Sequence, residues 1–372
     1  MVDTISILEK LVGFRTISDR SNLDLVDWIV DLLAPLGPRI RLTRDDSRSK
    51  ANIVASFGPD GPGGIVLSAH TDVVPVEGQG WASDPFVLTR RESRLHGRGT
   101  ADMKGFVASC LAAAPSFSAA RLKQPIHLAF SYDEEVGCLG VGRLIADLLA
   151  HAGRPGLAVV GEPTMMRIGA SHRGVHGFRT RFHGQAAHSS DPAAGLSAIY
   201  PAADFVSCLK RIASEHSAAG TGATFNVGRI DGGSAINIVP GICDVTWEFR
   251  IPGGFDTTAL EARIRDVLAG MMRQGVRCET DALIHVPALS PSPAAIARVR
   301  AFGALEPVEH LQFGTEAGLF QAADIPVVVC GPGSIDQAHR PDEWIEEDQL
   351  LACDRFLARV VEWAATTSPD GV

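Results

Sequence analysis

The chain has 372 residues, more than one hydrophobic core usually serves, so two domains are expected. Its 45% apolar and 21% charged residues fit a soluble globular protein, and a net charge of −9 argues against a nucleic-acid groove, which needs dense Lys and Arg on one face. No apolar run reaches the roughly 18–20 residues of a membrane span, and the start carries Asp3 and Glu9 without a signal peptide's basic-then-apolar order, so the cytoplasm is expected.

Helical spacing covers residues 5–11 and 23–36; the second stretch has Asn22 or Ser21 as a cap and stops at Pro35-Leu36-Gly37-Pro38. Residues 52–57 read as a strand, and Gly58 to Gly64 as a turn. Ile65-Val66-Leu67 then runs into Ser68-Ala69-His70-Thr71-Asp72. A small-residue helix over 106–114 is expected to end at Pro115. Residues 126–131 run into Tyr132-Asp133-Glu134-Glu135, a helix follows over 141–150, and residues 157–160 run into Gly161-Glu162-Pro163. Short continuous apolar runs bounded by Gly and Pro read as strands buried on both faces, hence a mostly parallel α/β sheet with helices on both sides.

The texture changes after residue 173. Alternating strands are expected at 177–184, 224–230, 243–251 and 276–285, with helices at 196–214 and 257–274 between them. That composes a smaller α+β domain: a four-stranded antiparallel sheet with two helices. Residues 286–293 look like a linker back, another apolar run at 326–329 leads towards His339, and residues 366–372 read as a frayed tail. The expected plan is a catalytic domain in two parts, 1–173 and 288–372, interrupted by an insert at 174–287. Seven cysteines (110, 138, 208, 243, 278, 330 and 353), with no Cys-x-x-Cys pair, leave a disulfide framework or a cysteine zinc ribbon improbable.

Four apolar runs thus end on or lead to residues that bind metal well, and parallel sheets gather their reacting groups at the carboxyl ends of strands. His70 and Asp72 flank Thr71, an arrangement in which the carboxylate can hold the other ring nitrogen of a ligating His. Asp102 lies between glycines in Gly97-Arg98-Gly99-Thr100-Ala101-Asp102-Met103-Lys104-Gly105. Glu134 and Glu135 are adjacent, so their side chains diverge, and one can ligate while the other serves as general base. Glu162 and His339 complete the set. Five ligands are too many for one tetrahedral catalytic zinc. They suit two metals sharing a carboxylate, with a water between them and a spare Glu to move its proton.

Ser68-Ala69-His70-Thr71-Asp72-Val73-Val74-Pro75, the Gly97–Gly105 segment, Asp133-Glu134-Glu135, Gly161-Glu162-Pro163-Thr164 and Ala338-His339-Arg340-Pro341-Asp342-Glu343 resemble the co-catalytic zinc amidohydrolases. That group holds acetylornithine deacetylases, succinyl-diaminopimelate desuccinylases, aminoacylases and glutamate carboxypeptidases. Gly314-Thr315-Glu316-Ala317-Gly318 and Gly331-Pro332-Gly333-Ser334-Ile335-Asp336-Gln337-Ala338-His339 look like the acetylornithine deacetylase branch. The resemblance implies two Zn2+ per subunit, with Co2+ or Mn2+ as substitutes. His70 and Glu162 would hold one ion and Glu135 and His339 the other, with Asp102 bridging, Glu134 as general base and Asp72 as partner of His70. It also implies a cis peptide at Asp102–Met103 and an insert that forms a homodimer and a lid. His188 would reach the partner subunit's site to stabilise the oxyanion, and Asn237, Arg250, Gly314 and Thr315 would bind substrate. Arg173 stands where the deacetylases tend to carry Lys, and His176 adds an imidazole nearby. The implied reaction is hydrolysis of N2-acetyl-L-ornithine to ornithine and acetate, for arginine synthesis. The alternatives are another N-acyl amino acid, succinyl-diaminopimelate or a dipeptide; a relative that only binds would show a broken ligand set.

Overall fold

A computed structural model of the chain describes residues 3–273, 276–308 and 310–367. It divides into two compact units, Met1–His172 with Leu289–Val372, and Arg173–Ala288. The frayed tail expected over 366–372 lies largely outside the described residues, as does residue 274 at the end of an expected helix.

The larger unit is built on an eight-stranded sheet: β1 (Arg39–Arg44), β2 (Ala51–Phe57), β3 (Ile65–His70), β4 (Ile126–Ser131), β5 (Leu157–Pro163), β6 (Arg167–Gly169), β11 (Leu305–Val308) and β12 (Val327–Gly331), with β7 to β10 in the smaller unit. Their order is β1-β2-β4-β3-β5-β12-β6-β11. The four apolar runs are the four central strands, mutually parallel and buried on both faces. That explains why they read as continuous rather than alternating runs. Along β3, Ile65, Leu67 and Ala69 join a core with Phe106 of helix α3 (Gly105–Ala119) and Leu357 of helix α9 (Glu347–Thr366). Val66 and Ser68 point the other way, to the face where helices α4 (Val141–Ala152) and α8 (Ala317–Ala322) pack.

Three local expectations change. Helix α3 does not stop at Pro115 but runs a further turn to Ala119. The lost N–H leaves one carbonyl without its helical donor, yet Phe117, buried edge-on to Phe57 at 5.5 Å, holds the added turn to the core. Asn22 does not cap helix α2 (Leu23–Leu33): its amide bonds the backbone of Ala51 and the hydroxyl of Thr71, while Ser21 Oγ accepts from Leu23 N–H. The stretch after α2 tightens to a 3₁₀ turn, Ala34–Leu36. Edge strand β1 escapes a search for apolar runs because it reads Arg-Ile-Arg-Leu-Thr-Arg and is largely solvated, as sheet edges often are.

In the smaller unit, strands β7 (Gly174–His183), β8 (Thr224–Gly232), β9 (Ile242–Ile251) and β10 (Arg277–Val286) form an antiparallel sheet in the order β8-β9-β7-β10. Cys243, Val245, Trp247, Phe249 and Ile251 alternate along β9 into a core with helices α5 (Ile199–Ala218) and α6 (Thr257–Arg273). The fold class is therefore the expected one, a mixed sheet plus an antiparallel α+β insert. Among the described residues no helix is long and apolar enough to cross a membrane.

One core residue carries a pH signature. His127 in β4 is buried, its Nδ1 paired with Ser56 Oγ at 2.8 Å, and burial with nearby Arg39 pulls its pKa down to about 4. An unfolded His titrates near 6.5. Below that pH the unfolded state binds the proton and the folded state does not, so stability is lost as pH falls from about 6.5 towards 4. By pH 5 the loss is about 2 kcal/mol. His127→Gln should therefore show a smaller drop in Tm between pH 7 and pH 5 than the parent.

Candidate metal centre

The carboxyl ends of the central strands bring the expected side chains together. His70 closes β3, Glu135 lies just past β4 and Glu162 near the end of β5. His70 Nε2 lies 3.1 Å from Asp102 Oδ1 and 3.6 Å from Glu162 Oε1. His339 Nε2 lies 3.0 Å from Glu135 Oε2 and 3.4 Å from Asp102 Oδ2. Asp102 thus gives one oxygen to each imidazole. Two candidate ligand trios result, His70-Asp102-Glu162 and Asp102-Glu135-His339, the donor atoms of each lying within 4.8 Å of one another.

The electrostatics call for cations. Burial, reinforced by neighbouring carboxylates, raises the pKa of Glu134, Glu135 and Glu162. Asp102 goes the other way: burial opposes its charge, but hydrogen bonds from His339 and His70 outweigh burial and hold it far below the usual range. Burial works against a charged His70 as well, yet Asp102, Glu162, Glu134 and Asp72 together hold its pKa well above normal. His339 is raised to about 10 by its bonds to Asp102 and Glu135. Glu135 Oε1 is buried without a hydrogen-bond partner, a costly state for a carboxylate oxygen. Nitrogen and oxygen donors only, excess negative charge and an orphaned oxygen fit divalent ions of borderline to hard character.

Around this cluster, other residues fix the ligands. Asp72 accepts from Glu134 N–H, Glu135 N–H and the Ser18 hydroxyl, so its carboxylate pins the turn that carries both glutamates. The ring of His70 is held chiefly by the Asp72 carbonyl, 2.9 Å from Nδ1, with the carboxylate at 3.6 Å. The peptide Asp102–Met103 is cis.

A family model described as Peptidase family M20/M25/M40 matches residues 66–363. The chain belongs to this family. It is 34% identical over 357 residues to the acetylornithine deacetylase of Pasteurella multocida (strain Pm70), covering 92% of this chain and 91% of that protein. Among solved structures, the M20 family metallo-carboxypeptidase Sso-CP2 from Sulfolobus solfataricus shares the fold with a TM-score of 0.79 at 17% identity, over 99% and 100% of the two chains. The di-peptidase Dug1p from Saccharomyces cerevisiae does so with a TM-score of 0.75 at 15% identity, over 98% and 96%. As an M20 member the chain is a metal-dependent amidohydrolase.

The M20 centre also rests on residues that motif reading did not single out. Glu343, 1% exposed, accepts from the backbone N–H groups of Gly99, Ala101 and Asp102 and from buried Arg98. The loop that bears His339 thereby grips the loop that bears Asp102. Groups that orient ligands in this way are typically worth 10–100-fold in metal affinity, so Glu343→Gln should weaken divalent-metal binding about tenfold in a calorimetric titration of folded protein. Glu316, fully buried at the start of α8, accepts from Ser68 and Ser131 and ties α8 to the ends of β3 and β4. Both acids stand inside segments quoted for the family resemblance, but only their contacts reveal a task.

The expected substrate residues fall in both units. Gly314 is half-buried in the loop before α8. Thr315 is fully buried; its hydroxyl meets His172 Nε2 at 3.2 Å and accepts from Ala317 N–H, so it serves the loop rather than presenting a free hydroxyl. In the smaller unit, exposed His188 sits in a two-residue strand paired with Ile238–Val239, next to Asn237, whose carbonyl accepts from Ser189 N–H. His188 Nδ1 accepts from Ser190 N–H, which leaves Nε2–H of the neutral ring as a donor. Arg250 pairs with Glu248 at 3.1 Å. It lies beside Val175 at the end of the sheet where the chain enters, about 26 Å along β9 from the Ile242 end nearest His188.

Proposed function

We propose that this M20 amidohydrolase removes the acetyl group from N2-acetyl-L-ornithine, giving ornithine and acetate for arginine biosynthesis in the cytoplasm. The supporting observation is 34% identity to an acetylornithine deacetylase over nine-tenths of both chains, together with two ligand trios sharing Asp102. Zinc is the proposed metal, with Co2+ or Mn2+ as substitutes. His70, Asp102 and Glu162 would hold one ion and Asp102, Glu135 and His339 the other. When bound, the ions would polarise the scissile carbonyl and make a water acidic enough to attack at neutral pH.

The chain's own residues do the rest. Glu134, with its raised proton affinity, takes a proton from the attacking water and returns it to the leaving amine. Asp72 keeps Glu134 in place by receiving its N–H. Arg250 takes the substrate carboxylate, assisted by Asn237 and by the backbone of the Gly314–Thr315 loop, and His188 donates Nε2–H to the developing oxyanion. The separation of Arg250 from the Ile242 end of the small sheet, the end nearer His188, supports a homodimer, in which each protomer's His188 serves its partner's centre.

A turnover panel on zinc- or cobalt-loaded protein tests this reading. It compares N2-acetyl-L-ornithine with N-succinyl-diaminopimelate, other N-acetyl amino acids and dipeptides. The highest kcat/KM on acetyl-ornithine is the expected result; a tenfold preference for another substrate would retain the chemistry and overturn the assignment.

A further inference from the structure

Just beyond the two glutamates, the backbone closes a tight turn. The N–H groups of Gly137 and Cys138 both reach the carbonyl of Glu134 at 2.9 Å, and Leu139 N–H reaches the carbonyl of Asp133 at 3.0 Å. Cys138 takes φ of +57° in this turn. In that left-handed region a side chain is disfavoured and glycine is the residue of least cost. Gly137 precedes it, so the segment already uses glycine where it needs one. A side chain kept in strained backbone beside a reacting centre calls for a task that the side chain itself performs.

The contact made by that side chain is with Glu134. The turn folds Cys138 back so that Sγ lies 3.4 Å from Glu134 Oε1, within the range of an S–H···O bond. Cys138 is 6% exposed and among the free cysteines, so no disulfide occupies its sulfur. Burial, together with the carboxylates of Glu134 and Glu316, pushes its thiol pKa well above normal. The sulfur therefore keeps the proton that it donates, which argues for a hydrogen-bond donor and against a redox or nucleophilic thiol.

We propose that Cys138 is a positioning residue for Glu134: its thiol anchors Oε1 and leaves Oε2 to exchange the proton with water and leaving amine. The inference rests on Glu134 being the general base. A thiol suits the task because it is a weak donor. It restricts the rotation of the carboxylate without removing much of the basicity that the reaction uses.

The test compares the parent with Cys138→Gly, Cys138→Ala, Cys138→Ser and Glu134→Gln, each metal-loaded, on the best substrate of the panel above. Metal content, Tm, kcat and KM are read for each. Cys138→Gly should raise or preserve Tm, since it relieves the left-handed residue, yet lower kcat about tenfold at unchanged KM and metal content. Cys138→Ala should lose kcat similarly, and Cys138→Ser, which restores a donor, should return to within about threefold of the parent. A merely structural cysteine would not yield a variant at least as stable as the parent but slower. Parental kcat in the Gly and Ala variants, or a Ser variant as slow as Ala, would overturn the proposal. Sustained turnover in Glu134→Gln would instead remove the general-base reading, a result distinguishable because it does not involve position 138.

Discussion

Glu134→Gln should lower kcat about a thousandfold while the protein keeps its metals and its fold. A positioned acid–base group is typically worth 10²–10⁴-fold, and Gln has nearly the same shape but cannot carry a proton between water and amine. Glu134 belongs to neither ligand trio, so metal content should not change. Its backbone N–H remains available to Asp72, so the turn should persist. The check is a pair of measurements on one preparation: metal per protomer by elemental analysis and steady-state turnover. Equal rates in parent and variant would remove Glu134 from the mechanism. A lost metal would move it from base to ligand.

Asp102→Ala should have a comparably large effect by a different route. Its two oxygens face different imidazoles, 3.1 Å from His70 and 3.4 Å from His339, so one substitution removes a ligand from both trios. Removing Glu162 or Glu135 alone takes one ligand from one trio. The expected result is weakened binding of both ions, with less than one retained per protomer after dialysis, and loss of turnover. Without metal, the variant also removes one of the buried anions that raise the pKa of both imidazoles, leaving Glu162, Glu134 and Asp72 to act on His70 and Glu135 on His339. The apparent pKa of His339 should therefore fall from about 10 towards its ordinary value, measurable by NMR titration of the metal-free protein. Full retention of two ions would refute the sharing of Asp102.

How far the sequence carried the reading depends on whether a property is local. The central strands were legible because burial on both faces leaves an uninterrupted apolar run, and β9 because burial on one face leaves strict alternation. Strand β1 and the short strand Thr89–Arg91 were not, since exposed edges need no apolar pattern, and Arg94–His96, the middle strand of a three-stranded sheet, is too short to show one. Pro115 misled because intrinsic helix preference yields to the packing of Phe117. The His70-Thr71-Asp72 spacing points to Asp72 as partner of the His70 ring; its carboxylate, 3.6 Å from Nδ1, also receives two backbone N–H groups, a relation between β3 and the turn after β4 that spacing does not record.

The sequence by itself determined the fold class, the candidate metal-binding side chains and the family motifs, since each resides in a short segment whose periodicity or composition expresses its surroundings. Only the tertiary structure decided that Asp102 gives one oxygen to each imidazole, that Glu343 links the Asp102 and His339 loops, that Cys138 turns back onto Glu134, and that Arg250 lies in the four-stranded sheet while His188 lies in a separate two-stranded pair near the sheet's other end. These depend on strand order and on chain crossings that bring residues 70, 102, 135, 162 and 339 together. Such convergence is set by long-range packing, to which no local pattern in the sequence is bound.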